Sequence, residues 1–232
     1  MNTRRDFLMT AGLLVAGTSL AHAAEPCTIS TKDSQAATTP DLALEKLKLG
    51  NARVVEGRTI HCDILNEVRV TAGGQAPFAA VLACMDSRVA PELVFDQRIG
   101  SIFSVRVAGN FVNTDILGSL EYATQVAGAK LIVVLGHTDC GAIKGAVDHV
   151  QLGNLTATLE NIRPAVLEVA AGAGGYSSKD KAFVQKVADR NAKDAAQMLS
   201  THSTVMGALV AEQKLKIVSA MHDVSTGIVT WL

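Results

Sequence analysis

The sequence predicts an α/β fold: a mainly parallel β-sheet flanked by helices, with an antiparallel edge strand at the C-terminal end and a helical arm at the N-terminal end. Three observations predict it. Short apolar runs of strand length alternate with longer segments of helical periodicity, the order that builds parallel sheets. Two of those runs, Val81–Cys84 and Leu131–Leu135, stop at polar clusters holding cysteine, histidine and aspartate, and parallel sheets form their sites just past the carboxyl ends of strands. A last run, Leu215–Met221, turns through Ser225-Thr226-Gly227 into Ile228–Trp231, the pattern of an edge hairpin.

The chain has 232 residues, a formal net charge of −1 and 48% hydrophobic content. That is enough for one well-packed domain. The near-neutral charge gives no electrostatic footprint for nucleic acid. At 4% aromatic content, base-stacking platforms are also excluded. Four scattered cysteines are too few for a disulfide scaffold.

Residues 1–23 read as a twin-arginine signal peptide. Arg4-Arg5 precedes an apolar stretch, Met9 to Leu20, and Ala21-His22-Ala23 is an A-x-A-type cleavage site. The apolar stretch is short for a membrane span, so the expected product is periplasmic, with no stable membrane insertion after signal removal. A chain exported folded takes up its metal before it meets an oxidising compartment. Residues 24–40 read as a linker or arm, and 41–232 as the catalytic domain. Asp41–Gly57 is a helix, with Asp41 as N-cap, Gly57 as stop and an apolar stripe of Leu42, Leu44, Leu47 and Leu49. Because it precedes the core strands, it is expected to pack on a partner subunit rather than on its own sheet. His61 and Cys62 are adjacent and point apart, so they are read as structural. Cys27 and Cys62 either form a disulfide or remain free thiols.

The core follows in order. Phe78–Cys84 is a strand, Ala90–Phe95 the start of a helix with Pro91 at an early position, and Ile102–Val107 a strand. Asp115–Ala127 is a helix, Leu131–Leu135 a strand and Gly141–Val150 a helix. Leu155–Ala170 and Asp180–Leu209 are helical stretches separated by a loop over Gly172–Ser178.

Cys84, His137 and Cys140 supply two thiolates and one imidazole at strand ends, a donor set that suits one zinc ion per subunit. Three strong ligands leave a fourth position for water or substrate. A lone cysteine reads as a small apolar residue; two with a histidine and an aspartate at strand ends do not. Gly136 and Gly141 flank the second cluster, where backbone can approach closely. Asp86 has two roles open to it. It is either a fourth zinc ligand or the bidentate partner of Arg88, leaving the metal open. His149, His202 and His222 are available as proton carriers, but the sequence places none of them at the site.

C-M-D-S-R (Cys84–Arg88) followed by H-T-D-C-G (His137–Gly141) resembles the β-class carbonic anhydrases. The resemblance extends to Ala43–Arg53, to R-V-A-G-N at Arg106–Asn110, to S-L-E-Y-A at Ser119–Ala123 and to Leu215–Gly227. It implies zinc on Cys84, His137 and Cys140, with Asp86 and Arg88 catalytic. It also implies a substrate pocket from Gln75, Phe103, Ala108, Tyr122 and Gly141. The reaction implied is reversible hydration of carbon dioxide to bicarbonate by a zinc-bound hydroxide, in a homodimer or higher even oligomer. The R-V-A-G-N segment departs from the R-N-x-A-N of many members. A CS2 or COS hydrolase on the same scaffold and a non-catalytic zinc-binding protein are the competing readings.

Overall fold

The computed structural model describes residues 27–171 and 175–232. The expected signal peptide lies outside the described residues. Five strands form one sheet: β1 (Ala79–Ala83), β2 (Ile102–Arg106), β3 (Leu131–His137), β4 (Lys216–His222) and β5 (Val229–Trp231). They are ordered β2-β1-β3-β4-β5. The first four run parallel and β5 pairs antiparallel with β4, as the sequence predicts.

β1 and β3 are buried along their whole length, which is why they read as unbroken apolar runs. Successive strand residues point to opposite faces, so the strands feed two cores. On one face Ala80, Leu82, Ile132 and Val134 pack against the C-terminal helices. On the other, Ala79, Val81, Leu131, Val133 and Leu135 pack with Ala43, Leu47 and Phe95. Burial of this kind stabilises by roughly 25 cal/mol per Å² of apolar surface.

The first two helices are the short α1 (Lys32–Ala36) and the longer α2 (Pro40–Val55). The first falls inside the expected linker. Thr31 and Ser34 form its capping box, and Gln35 donates to the carbonyls of Pro77 and Ala127. The cap of α2 is Thr39, with Pro40 in the first turn, rather than Asp41. Proline lacks the N–H that a helix interior requires but is accommodated there. The expectation that α2 shuns its own sheet is overturned: Ala43 and Leu47 are fully buried beneath it. At Gly50 an added Cβ would lie 1.8 Å from the Phe95 carbonyl oxygen, so only glycine permits this approach. Leu42 and Leu49 remain exposed.

The sequence reading does not foresee α3 (Ile64–Thr71), whose Asp63 side chain caps Leu65 and Asn66 N–H. The short α4 (Pro91–Val94) and the longer α5 (Thr114–Glu121) follow, the latter running on into a π-turn over Tyr122–Val126. After β3 comes α6 (Gly141–Val147). Each of the two long helical stretches is in fact two helices. The first divides into α7 (Gly153–Glu160) and α8 (Arg163–Ala170), because Pro164 fits a first turn but not an interior. The second divides into α9 (Lys181–His202) and α10 (Thr204–Ala211) at Ser203. That residue is extended, and its hydroxyl accepts from Met206 N–H as a new cap.

Candidate metal centre

The site is built where β1 and β3 end. Cys84 follows the last β1 residue, and His137 is the last residue of β3. Cys140 is the N-cap of α6. Between them Asp139 adopts a left-handed backbone, φ +58, which short polar residues tolerate and which folds Cys140 back toward the strand end. The two sulfurs are 3.9 Å apart. The three donor atoms lie within 4.8 Å of one another, and all three residues are buried.

His137 Nδ1 lies 2.9 Å from the Thr138 carbonyl oxygen, so that nitrogen carries the proton and Nε2 keeps its lone pair. Nε2 is buried and has no hydrogen-bond partner. A buried orphan nitrogen facing two sulfurs is a poor end state for a protein alone. It is what a tetrahedral Cys₂His site requires, so the residues fit zinc.

The sulfurs are electrostatically unequal. Cys84 is held below the ordinary thiol value, chiefly by its hydrogen bond with Cys140 against the opposing cost of burial, with the Gly109 N–H adding to it. Cys140 is pushed up by the bond it makes to Cys84 and by burial. A cation that takes both sulfurs as thiolates displaces a proton.

Asp86 lies in the loop after β1. Arg88 grips it twice, Nε to Oδ1 at 2.9 Å and Nη2 to Oδ2 at 2.8 Å, and the Arg88 backbone N–H adds a third bond at 3.0 Å. The Arg88 side chain is the main reason the carboxyl is held well below the usual carboxylate range. Of the two roles the sequence leaves open, the structure has the Arg88 pairing, and Asp86 is not one of the three grouped donors. Its Oδ2 still lies 4.0 Å from His137 Nε2.

Arg106 also belongs to the site. Its Nε donates to the Cys84 carbonyl and its Nη2 to the Asp86 carbonyl, pinning the loop that carries both. The sequence reading quotes it only inside a motif. Its signal is a lone arginine ending a strand beside the cysteine strand.

The expected pocket residues separate. Ala108 sits in the turn whose next residue, Gly109, donates to Cys84 Sγ at 3.3 Å. Gly141 opens α6 beside Cys140, and nothing lies within 4 Å of where its Cβ would be. Phe103 and Tyr122 meet edge to face at 6.3 Å. They line a cleft of about 820 Å³ along the β2 edge with Val105, Arg106, Thr114 and Gly118, and that cleft does not include the three donors. Gln75 is exposed and precedes β1, whereas Cys84 follows it. The five residues of the strand put roughly 16 Å between them, so Gln75 does not reach the centre of its own chain. His149 and His202 are exposed. His222 is buried opposite His137 in the β3–β4 register, and burial lowers its pKa.

A family model described as carbonic anhydrase matches residues 79–229. Carbonic anhydrase 2 of Mycobacterium tuberculosis is 36% identical over 196 residues, covering 82% of this chain and 91% of its own. A carbonic anhydrase of Mycolicibacterium smegmatis is 35% identical over 194 residues, covering 81% and 91%. Among solved structures, the β-carbonic anhydrase CafA of Aspergillus fumigatus superposes with a TM-score of 0.66 at 25% identity, covering 83% of this chain and 89% of that one. A tetrameric β-carbonic anhydrase of Sordaria macrospora gives 0.62 at 28% identity, covering 71% and 84%.

Proposed function

The chain belongs to the β class of the carbonic anhydrases, and we propose that it is a zinc enzyme that hydrates carbon dioxide reversibly in the periplasm, as an even-numbered homo-oligomer. The observation that carries the reading is the orphaned His137 Nε2 facing the Cys84 and Cys140 sulfurs, with the Arg88-held Asp86 carboxylate 4.0 Å away.

Cys84, His137 and Cys140 would hold the ion. Zinc held there would supply Lewis acidity, lowering the pKa of a bound water toward neutrality. Asp86, ionised and acceptor-only while Arg88 holds it, would be the hydrogen-bond acceptor that orients the attacking oxygen toward carbon dioxide. With both carboxylate oxygens held by Arg88, Asp86 would be kept from serving as a fourth ligand. Because two donors are thiolates, turnover is expected to rise with pH through the alkaline side of neutral. A flat profile from about pH 6 to 9 would contradict this.

The oligomer is supported by surfaces that one copy leaves bare. Helix α3 is inverted: its buried residue is Glu67, while Ile64, Leu65 and Val68 are at least half exposed. β2 is an unpaired edge strand beside the Phe103–Tyr122 cleft. A second copy on this side would bury that apolar surface. It would also complete a carbon dioxide wall that one chain leaves open, and bring in a Gln75 that its own chain holds away from the metal. Export is supported by the Arg4-Arg5 signal pattern and by the Cys27–Cys62 disulfide. Among the described residues no helix is long and apolar enough to cross a membrane.

The test is stopped-flow carbon dioxide hydration by the zinc-loaded protein, wild type beside Asp86→Ala. Fast hydration that falls by about 10²–10⁴-fold in the variant is expected. Absence of hydration at any pH with zinc bound, alongside turnover of CS2 or COS, would replace the reading with the hydrolase.

A further inference from the structure

Helix α9 buries a stripe of Val184, Val187, Ala188, Ala192, Ala195 and Leu199, and one polar residue lies among them. That residue is Asn191, 4% exposed. Burying an amide without a partner costs about 1–3 kcal/mol, so the bond it makes is informative. Nδ2 donates to the Gly109 carbonyl at 2.8 Å.

Gly109 lies in a turn closed by the Asn110 N–H on the Val107 carbonyl. Its φ is +83, and an added Cβ would meet Ile162 Cδ1 at 2.4 Å. This is the left-handed position a type II turn reserves for glycine. The turn is tied to the end of β1 on its other side, by Val107 N–H to Ala83 O and Met85 N–H to Val107 O. Its amide then points at a metal ligand: Gly109 N–H donates to Cys84 Sγ at 3.3 Å. One residue thus receives a bond from the far helix at its carbonyl and gives one to the sulfur from its amide.

We infer that Asn191 is a positioning residue for the metal centre, holding the Val107–Asn110 turn so that the Gly109 N–H stays on the Cys84 sulfur. An N–H···S bond withdraws charge from a thiolate and fixes its direction. Groups hydrogen-bonded to a metal ligand tune metal affinity by about 10–100-fold; the Gly109 N–H is such a group, and Asn191 holds it in place. The inference rests on the three-donor metal centre, and the control on it lies 51 residues from Cys140 and 107 from Cys84 in sequence.

Cadmium-113 substitution reads the bond directly. In the wild-type chain, scalar coupling from cadmium to the Gly109 amide proton is expected, together with coupling from the Asn191 side-chain amide to the Gly109 carbonyl carbon. In Asn191→Leu or the near-isosteric Asn191→Asp, the cadmium coupling is expected to fall or vanish, and zinc affinity by chelator competition to drop about 10–100-fold. A folded variant with unchanged coupling and unchanged zinc affinity would overturn the inference and leave Asn191 a packing residue. Absence of either coupling in wild type would overturn it without reference to any variant. A wild-type chain that binds neither cadmium nor zinc would overturn the metal-centre reading, and this inference with it.

Discussion

Two pairs of cysteines in one chain take opposite fates. Cys84 and Cys140, 56 residues apart in sequence, hold their sulfurs 3.9 Å apart in the core and remain thiols. Cys27 and Cys62, 35 residues apart, are joined as a disulfide at the surface, Cα to Cα 5.8 Å. The difference is in what holds them. The first pair is fixed by the end of β1 and the start of α6, too far apart for a bond of about 2 Å, with a histidine nitrogen aimed between them. The second pair joins an N-terminal arm to the loop before α3, where the His61 carbonyl oxygen lies 3.8 Å from Cys27 Sγ. Rigid separation with a third donor makes a chelate; loose proximity makes a staple.

The strongest way to break this comparison is to take a sulfur from each pair. Cys140→Ser should lose zinc and carbon dioxide hydration by more than the roughly 100-fold that outer partners carry, read by metal analysis and stopped-flow rates. If Cys140→Ser retained zinc at wild-type affinity, the chelate reading would be wrong. Cys27→Ser should leave zinc content intact and lower unfolding stability by about 2–4 kcal/mol, the range for a loop of this size, read by denaturant unfolding. A loss of zinc in that variant would join the two pairs into one system. Chelator and reductant should separate them in the same way: a chelator empties the core pair, and a mild reductant opens only the surface pair.

The smallest effect is expected at another surface tether. Asp148 accepts from the Ser178 hydroxyl and backbone N–H, and the Ser178 hydroxyl, first, holds its carboxyl below the usual range. A depressed folded pKa stabilises above the ordinary carboxylate value of about 4 and is lost as pH falls through the folded one. Asp148→Asn should therefore differ from wild type in thermal unfolding at pH 7 and converge with it as pH falls below the ordinary carboxylate range. A difference that persists or grows in acid would refute the assignment.

Much of the site is legible because its chemistry is local. Cys84 with Asp86 and Arg88, and His137 with Cys140, are each spaced so that one strand end presents them, and strand ends show in the apolar runs. What is not legible is supplied by distant elements. Nothing in the spacing marks Arg106 as the residue that pins the Cys84–Asp86 loop, or Asn191 as the donor behind Gly109, since each acts across the sheet or its face. The helix breaks at Pro164 and Ser203 were overrun because propensity sums over a window, whereas a single residue ends a helix. Helix α3 was missed because its apolar residues face outward, so its pattern does not describe its own core. Gln75 stands at the opposite end of β1 from Cys84, because motif order along a chain says nothing about which end of a strand a residue serves.

The sequence by itself determined the alternation that builds a parallel sheet and the three donors at its carboxyl end, because side-chain period and strand-end chemistry are local properties. Only the tertiary structure decided that Asp86 belongs to Arg88, that Cys27 meets Cys62 and not a metal, and that a buried amide on α9 reaches the turn behind Cys84. Those are choices among partners far apart in the chain, and packing two faces of one sheet is what brings them within bonding distance.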